Sequence, residues 1–293
     1  MLAIAESGST KTEWVLLNNE NEVFKRIKTI GFNPDFHSQE DVLNELNSHA
    51  KEFIDPKLIS RLYFYGAGCS SDRLRKVIHS GLSEFFTEAN ISVDHDLAAA
   101  AYSLYQDRPI VACILGTGSN SCFFDGKEIH EKVPALGFLL GDEGGGGYFG
   151  KQLLRAYFYR LLPDFIADDF YSTYQINWED ARKRLYKSDD ANVYAASFTP
   201  FLAKHSEDPF IHKILEDGFQ QFVDVNVKCF DLPAGTTVNF VGSVSYYFRD
   251  QIATLLERNG LQLGKVIKSP IDELVQFHCR SAYAINSSTN GSA

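Results

Sequence analysis

The chain has 293 residues, 44% of them hydrophobic and 13% aromatic, with 38 acidic and 28 basic side chains for a formal net charge of −10. That apolar content sustains packed cores and excludes disorder as a description of the whole chain, and the length suits two domains or one large one. The acidity disfavours nucleic-acid partners, because the densest basic runs, Lys25-Arg26 with Lys28 and Arg182-Lys183-Arg184, are too short to form a phosphate-binding patch.

In chain order, Leu2–Ala5 reads as a short buried strand, Ser7-Gly8-Ser9-Thr10 as a turn, and Trp14–Leu17 as the strand that follows. Glu22–Ile30 is a third, partly alternating strand. Ser38 and Asp41 have the spacing of a capping box, and Val42, Leu43, Leu46, Ala50 and Phe53 share one face of the helix they open. A buried strand (Leu62–Tyr65), a break at Gly66 and Gly68, and a helix carrying Leu74, Val77, Ile78, Leu82 and Phe85 come next. A strand at Ile91–Val93 then leads into an Ala-rich helix, Leu97–Tyr105. Asp107-Arg108-Pro109 is the first good linker, which predicts domains at residues 1–107 and 108–293.

The second part begins in the same way. Ile110–Leu115 is a strand, Gly116-Thr117-Gly118-Ser119-Asn120 a turn, and Ser121–Phe124 a strand; Asp125-Gly126 signals a hairpin into Glu128–Val133. Helices are expected over Tyr148–Leu162, Trp178–Tyr186, Val193–Phe201 and Pro209–Phe230. A strand (Val238–Val241), a helix after Gly242-Ser243, a strand (Leu263–Ile267) and a helix (Ile271–Tyr283) complete the pattern. The small, polar tail Asn286–Ala293 is expected to fray.

Twice, then, the chain runs strand, Gly/Ser/Thr turn, strand, third strand, helices. The echo predicts two similar α/β domains, each offering a polar turn to one central cleft. Successive turn amides and hydroxyls make an anion nest, so the two turns suit a phosphate held from both sides. Each turn taken alone equally suits an ordinary hairpin. Other phosphate motifs fail: Ser121 stands where a dinucleotide fingerprint needs its third glycine, and Lys11-Thr12 lacks the glycines of a Walker A loop.

Cysteines at 69, 113, 122, 229 and 279 are odd in number and without paired spacing, which argues against a disulfide framework or a zinc site. No apolar run approaches the ~18 residues needed to cross a bilayer. The N-terminus reaches Glu6 too early for a signal peptide. The expectation is a cytoplasmic protein without a membrane partner. The aromatic row Tyr148, Phe149, Tyr157, Phe158 and Phe165 suits a core or a subunit interface, so a homodimer stays open. Asp96 stands where a helix begins and fits a plain N-cap, with Asp94 as an acidic neighbour. Asp142-Glu143, before Gly144-Gly145-Gly146-Gly147, fits either a solvated turn or a backbone that must approach something closely.

Glu6-Ser7-Gly8-Ser9-Thr10-Lys11-Thr12 resembles the first phosphate motif of the actin-like ATPase superfamily, which includes the sugar kinases. Gly116-Thr117-Gly118-Ser119-Asn120 resembles its second phosphate motif, and Val241-Gly242-Ser243-Val244 its adenosine motif. Gly141-Asp142-Glu143-Gly144, just after Gly137-Phe138-Leu139-Leu140, is similar to the N-acetylglucosamine kinase family within it. The resemblance runs nearly to Tyr283, and four motifs in order are far more specific than any one.

The resemblance implies two ribonuclease-H-like domains facing a central cleft that holds ATP and sugar, and an ATP-dependent kinase acting on N-acetylglucosamine at its 6-hydroxyl. By the same resemblance, Gly8, Ser9, Thr10 and Lys11 with Gly116, Thr117 and Gly118 would bind the ATP phosphates. Gly242 and Ser243 would lie beside the adenosine. Asn33, Ser119, Asn120, Gly137 and Asp142 would hold the sugar, and Asp96 would be both sugar ligand and catalytic base. A base at a helix N-terminus is kept ionised by the dipole. Magnesium would accompany ATP, with Glu6 orienting a metal-bound water from the position where the family usually has Asp. Ala135-Leu136 stands where N-acetylglucosamine kinases tend to have Gly-Trp. The alternatives are an activator ATPase of 2-hydroxyacyl-CoA dehydratase type, whose iron–sulfur cluster would need Cys spacing absent here, and a non-catalytic sugar-binding regulator, which would not need Asp96 or both phosphate turns.

Overall fold

The computed structural model describes residues 1–51 and 55–289, those from 281 on by backbone alone. It divides into two compact units, Met1–Ser103 with Pro270–Ala293, and Leu104–Ser269.

The first unit opens with strands β1 (Leu2–Ser7), β2 (Lys11–Leu17) and β3 (Val23–Ile30), followed by helix α1 (Gln39–Glu45), β4 (Arg61–Gly66), α2 (Asp72–Phe85), β5 (Asn90–His95) and α3 (Asp96–Leu104). Its sheet has the order β3-β2-β1-β4-β5; β1–β2 and β2–β3 are antiparallel, β1–β4 and β4–β5 parallel. The capping box is present: the Asp41 amide donates to the Ser38 hydroxyl, and the Asp41 carboxylate accepts from the Ser38 amide. The helix it opens is cut short, because the chain widens into a π turn over Leu46–Ala50. The expected contribution of Phe53 lies outside the described residues. Trp14 packs against Phe32, Phe64 and Phe86, with ring centroids 6.0–6.3 Å apart. Burying each such side chain contributes ~1.5–3 kcal/mol.

The second unit repeats the plan with β6 (Ile110–Leu115), β7 (Ser119–Phe124) and β8 (Ile129–His130). It continues through α4 (Gly137–Leu140), α5 (Gly146–Phe158), α6 (Asp164–Tyr174), α7 (Trp178–Lys187), α8 (Ala191–Ala196), α9 (Thr199–Lys204) and α10 (Pro209–Phe222). It closes with β9 (Thr237–Val241), α11 (Ser243–Tyr247), α12 (Arg249–Arg258) and β10 (Gln262–Ile267). Read from its third strand, the sheet is β8-β7-β6-β9-β10, the order and the parallel and antiparallel pairings of the first unit. The core on this sheet is rich in Phe, with Phe149, Phe170, Phe198, Phe219, Phe222, Phe240 and Phe248 among its members.

Two expectations are corrected. The third strand of this sheet is only Ile129–His130, not Glu128–Val133. The Asp125 carboxylate takes the amides of Lys127 and Glu128 at 2.7 Å into the turn, and Pro134 has no N–H with which to prolong the ladder. Helix α6 lies between the expected helices Tyr148–Leu162 and Trp178–Tyr186, where none was assigned; Ile166 and Phe170, one turn apart, bury its inner face. Of the aromatic row, Phe149 is core while Phe165 is 61% exposed.

The last helix, α13 (Ile271–Thr289), packs against β1 and β2 and so joins the first unit, unlike the continuous division expected at residue 107. His278 Nε2 shares a 2.7 Å hydrogen bond with the Tyr65 hydroxyl, and its ring stacks on Tyr63 at 3.8 Å. Burial pushes the His278 pKa down to about 4, so the ring is neutral at physiological pH. The frayed tail expected from Asn286 is helical through Thr289, and residues 290–293 lie outside the described residues.

Candidate active site

In the first unit the β1–β2 turn is closed by the Gly8 amide donating to Lys11 O at 3.0 Å, leaving Ser9 and Thr10 at its tip. Ser7 and Thr12 flank it, both fully buried. The Phe32 amide donates to Ser7 Oγ at 2.7 Å, and Thr12 Oγ1 lies 2.7 Å from Ile30 O and 2.8 Å from Ser7 Oγ. Gly31, between those two backbone partners, has no room for a side chain: a Cβ would stand 2.2 Å from Gly8 O. The turn and the Gly31-Phe32-Asn33 segment are therefore in direct backbone contact. Lys11, expected at the phosphates, forms a 2.7 Å ion pair with Glu13.

Asn33 Oδ1 accepts from the Asp35 amide at 2.9 Å, and Asn33 O from the amides of Phe36 and His37. Its side chain lies over Gly68, where a Cβ would come within 2.3 Å of Oδ1; Gly68 also has φ of +80°, so glycine is required there on both counts. Next to it, burial pushes the Cys69 thiol up to about 12, with smaller contributions from Asp96, Asp94 and Asp35, opposed by Arg75. Gly66, at the end of β4, pairs with His95, so the loop that supports Asn33 at Gly68 and the start of α3 at Asp96 leave neighbouring strand ends. The acidic neighbours of the helix start differ in use, since the Asp94 carboxylate turns back to accept the His95 amide at 2.8 Å while Asp96 opens α3. Glu6 is raised from 4.5 to about 7, first by burial, then by Glu13 and Asp96, with Lys11 opposing.

In the second unit, α5 starts against the β6–β7 turn. The Gly146 and Gly147 amides donate to the carbonyls of Gly116 and Thr117, both at 2.8 Å. With those carbonyls engaged, and the Gly116 amide donating to Gly118 O at 3.0 Å, the turn offers a ligand the amides of Thr117 and Gly118 and the Thr117 hydroxyl. A Cβ on Gly145 would stand 2.8 Å from the Gly118 carbonyl carbon, so the glycine run serves close approach rather than flexible connection. Asp142 has φ of +61° and accepts the Ser119 amide at 3.1 Å; a Cβ on Gly118 would press on its carboxylate. Burial raises the Asp142 pKa, and the Ser119 hydrogen bond opposes. Gly242, at φ +129°, packs on the end of β6, where a Cβ would be 2.2 Å from Leu115 O.

The predicted residues thus gather within each unit: Gly8–Lys11, Asn33, Glu6 and Asp96 in the first, Gly116–Ser119, Asp142 and Gly242 in the second. Two stand less directly. Asn120 Oδ1 is engaged by the Ser121 amide, and Ser243 is exposed at the start of the short α11. Gly137 has φ of +70° and opens α4, whose Phe138 ring lies under Lys151 Nζ at 4.5 Å. Sequence reasoning assigned no role to Ser7, Thr12, Gly31, Gly68 or Lys151. The available signal was polar residues at inward strand positions, beside a buried Trp and Val.

No family model matches the sequence, and no curated protein does. Among solved structures, a candidate N-acetylglucosamine kinase from Porphyromonas gingivalis is 33% identical, with a TM-score of 0.88 over 95% of this chain and 98% of that one. A candidate N-acetylglucosamine kinase from Chromobacterium violaceum shares the fold at 15% identity and a TM-score of 0.70, over 94% of this chain and 98% of that one. A ROK family glucokinase from Streptomyces griseus, solved in complex with glucose and AMPPNP, shares it at 16% identity and 0.53, over 94% and 97%. One-third identity over nearly the full length of the first, joined to a duplicated sheet with a glycine turn at the same place in each copy, shows that the chain belongs to the N-acetylglucosamine kinase family, ATP-dependent sugar kinases of the actin-like ATPase fold.

Proposed function

We propose that this chain transfers the γ-phosphoryl group of ATP to the 6-hydroxyl of N-acetylglucosamine, with Asp96 as the base. The observation that carries the reading is the pairing of Gly66 with His95 at the ends of β4 and β5: the carboxylate that opens α3 and the Gly68 loop packed on Asn33 follow directly from neighbouring strand ends. Asn33 would orient the sugar, and Asp96 would accept the hydroxyl proton as the oxygen attacks. The turns at Gly8–Lys11 and Gly116–Gly118 would hold the phosphates, Gly242 and Ser243 the adenosine, and Ser119, Asn120, Gly137 and Asp142 further parts of the sugar. Positioning and electrostatics do most of the work in phosphoryl transfer.

Magnesium fits the first unit. Burial and two nearby carboxylates leave Glu6 only half ionised near neutral pH, a repulsion that a cation arriving on the nucleotide would relieve. Among the described residues no group of three or more His, Cys, Asp or Glu could hold a metal ion. That suits a cation bound largely by water and phosphate. Glu6 would hold it through water, and the ion would neutralise charge on the transferred group.

Among the described residues, no helix is long and apolar enough to cross a membrane. A cytoplasmic site of action remains part of the proposal, and a homodimer is open to sedimentation measurements.

The test is ADP release over a panel of hexoses and N-acetylhexosamines. A site that hydrogen-bonds the acetamide discriminates against glucose by as much as ~10⁴-fold, because its polar groups are left unpaired. Glucosamine is expected to be poor as well, since it brings a cation. Equal use of glucose would reduce the assignment to a general hexose kinase, and no stimulation by any sugar would favour a regulator or an activator ATPase.

A further inference from the structure

Two hydroxyls on the interior side of the first phosphate turn form a closed relay. Ser7 and Thr12 occupy core positions where an apolar side chain would cost nothing, whereas a buried hydroxyl must find partners. They find them on either side of one glycine, Thr12 at Ile30 O and Ser7 at the Phe32 amide, and they lie 2.8 Å from each other. Ser7 O also accepts the Ala67 amide at 2.9 Å, at the start of the loop whose Gly68 supports Asn33. Neither hydroxyl is exposed to a ligand.

We infer that Ser7 and Thr12 are positioning residues that fix the distance between the turn gripping ATP and the loop holding the sugar. The inference rests on the kinase reading and names a further part of that same site. Loosening the relay lets the turn and the Asn33 loop move independently. The sugar hydroxyl is then misplaced more often, and water can attack the γ-phosphate instead, yielding ADP and inorganic phosphate.

The experiment compares Thr12→Val, which keeps the shape and removes the hydroxyl, with Ser7→Ala and the conservative Thr12→Ser. Sugar phosphate and ADP are measured separately. Thr12→Val and Ser7→Ala are expected to lower sugar kcat/KM by about 10- to 100-fold, the scale of a misplaced reactant, with ATP KM within about 2-fold. ADP is expected to exceed sugar phosphate, and Thr12→Ser to restore both. Equal ADP and sugar phosphate with both KM values unchanged would mark the relay as structural only and overturn the inference.

Amide hydrogen exchange on the unliganded protein supplies a readout that needs no sugar. Thr12→Val should speed exchange in residues 8–11 and 31–33 together; faster exchange in one segment alone would overturn the coupling. If the parent protein shows no sugar-dependent ADP release, the kinase reading fails by itself, and exchange still decides whether the relay couples the two segments. If Thr12→Val does not fold, Ser7→Ala and Thr12→Ser carry the comparison.

Discussion

The two polar turns occupy the same place in the same sheet topology and differ in what fastens them to the rest of their unit. Side chains anchor the first, through the Ser7 and Thr12 hydroxyls on the backbone of Ile30 and Phe32. Main chain anchors the second, through the amides that begin α5 on the carbonyls of Gly116 and Thr117, with Gly242 pressed against the end of β6. Duplicated topology fixes where a turn stands and leaves its fastening free. Both turns are sensitive to gaining one carbon, the first at Gly31 and the second at Gly145 and Gly242, but only the first is also held by two buried hydroxyls that a single substitution removes.

The largest expected effect breaks the backbone-fastened side. Gly242→Ala places a Cβ 2.2 Å from Leu115 O at a φ that only glycine adopts readily, and should cost ~3 kcal/mol or more in urea unfolding. A cost under ~1 kcal/mol would show that the end of β6 yields, and that the fastening is softer than drawn here.

Next comes the proposed chemistry, assigned to the first unit. Asp96→Asn should lower kcat by at least ~10²-fold while ATP affinity changes little. Near-parental turnover in a folded Asp96→Asn protein would move the base elsewhere, with Asp94→Asn the variant to try. Thr10→Val and Thr117→Val should each weaken ATP handling by about 10-fold without lowering Tm, because both lie on surface turns. Unchanged ATP kinetics in both variants would make the turns plain hairpins.

The smallest effect concerns Glu6. Its folded pKa of about 7 against the ordinary 4.5 means that the folded protein keeps a proton which the unfolded chain releases across that interval. Stability therefore falls as pH rises from about 4.5 to 7. Glu6→Gln escapes this loss and should melt a few degrees above the parent at pH 8, with the gap closing near pH 4. A gap independent of pH would mean that Glu6 is not the group responsible.

Much of this architecture was legible in the sequence because it is local. The strand–turn–strand echo, the Ser38 capping box and the start of α3 at Asp96 all follow from residues within a few positions of each other. What was not legible is non-local. Gly144–Gly147 admitted two readings until α5 was seen against Gly116 and Thr117, about thirty positions away in sequence, the separation at which pattern arguments stop. Ser7 and Thr12 looked like part of a polar turn; only the return of the chain at Ile30–Phe32 shows why hydroxyls are buried there. Helix α6 could have been found from Ile166 and Phe170, and was hidden by the brevity of its apolar face. Asn33 and Asp142, the proposed sugar positions, owe their geometry to Gly68 and to a left-handed backbone respectively, neither of which has a signature beyond the residue type.

The packing of α13 on β1 and β2 gives the chain an order of assembly. During synthesis Leu104–Ser269 emerges with every strand of its own sheet, whereas the first sheet must wait for a helix translated after it. Until Phe277 and His278 arrive, Tyr102, Tyr63 and Tyr65 lack the rings that cover them. A released chain ending at Ser269 should therefore carry a protease-resistant second unit beside a first unit that is still open to cleavage.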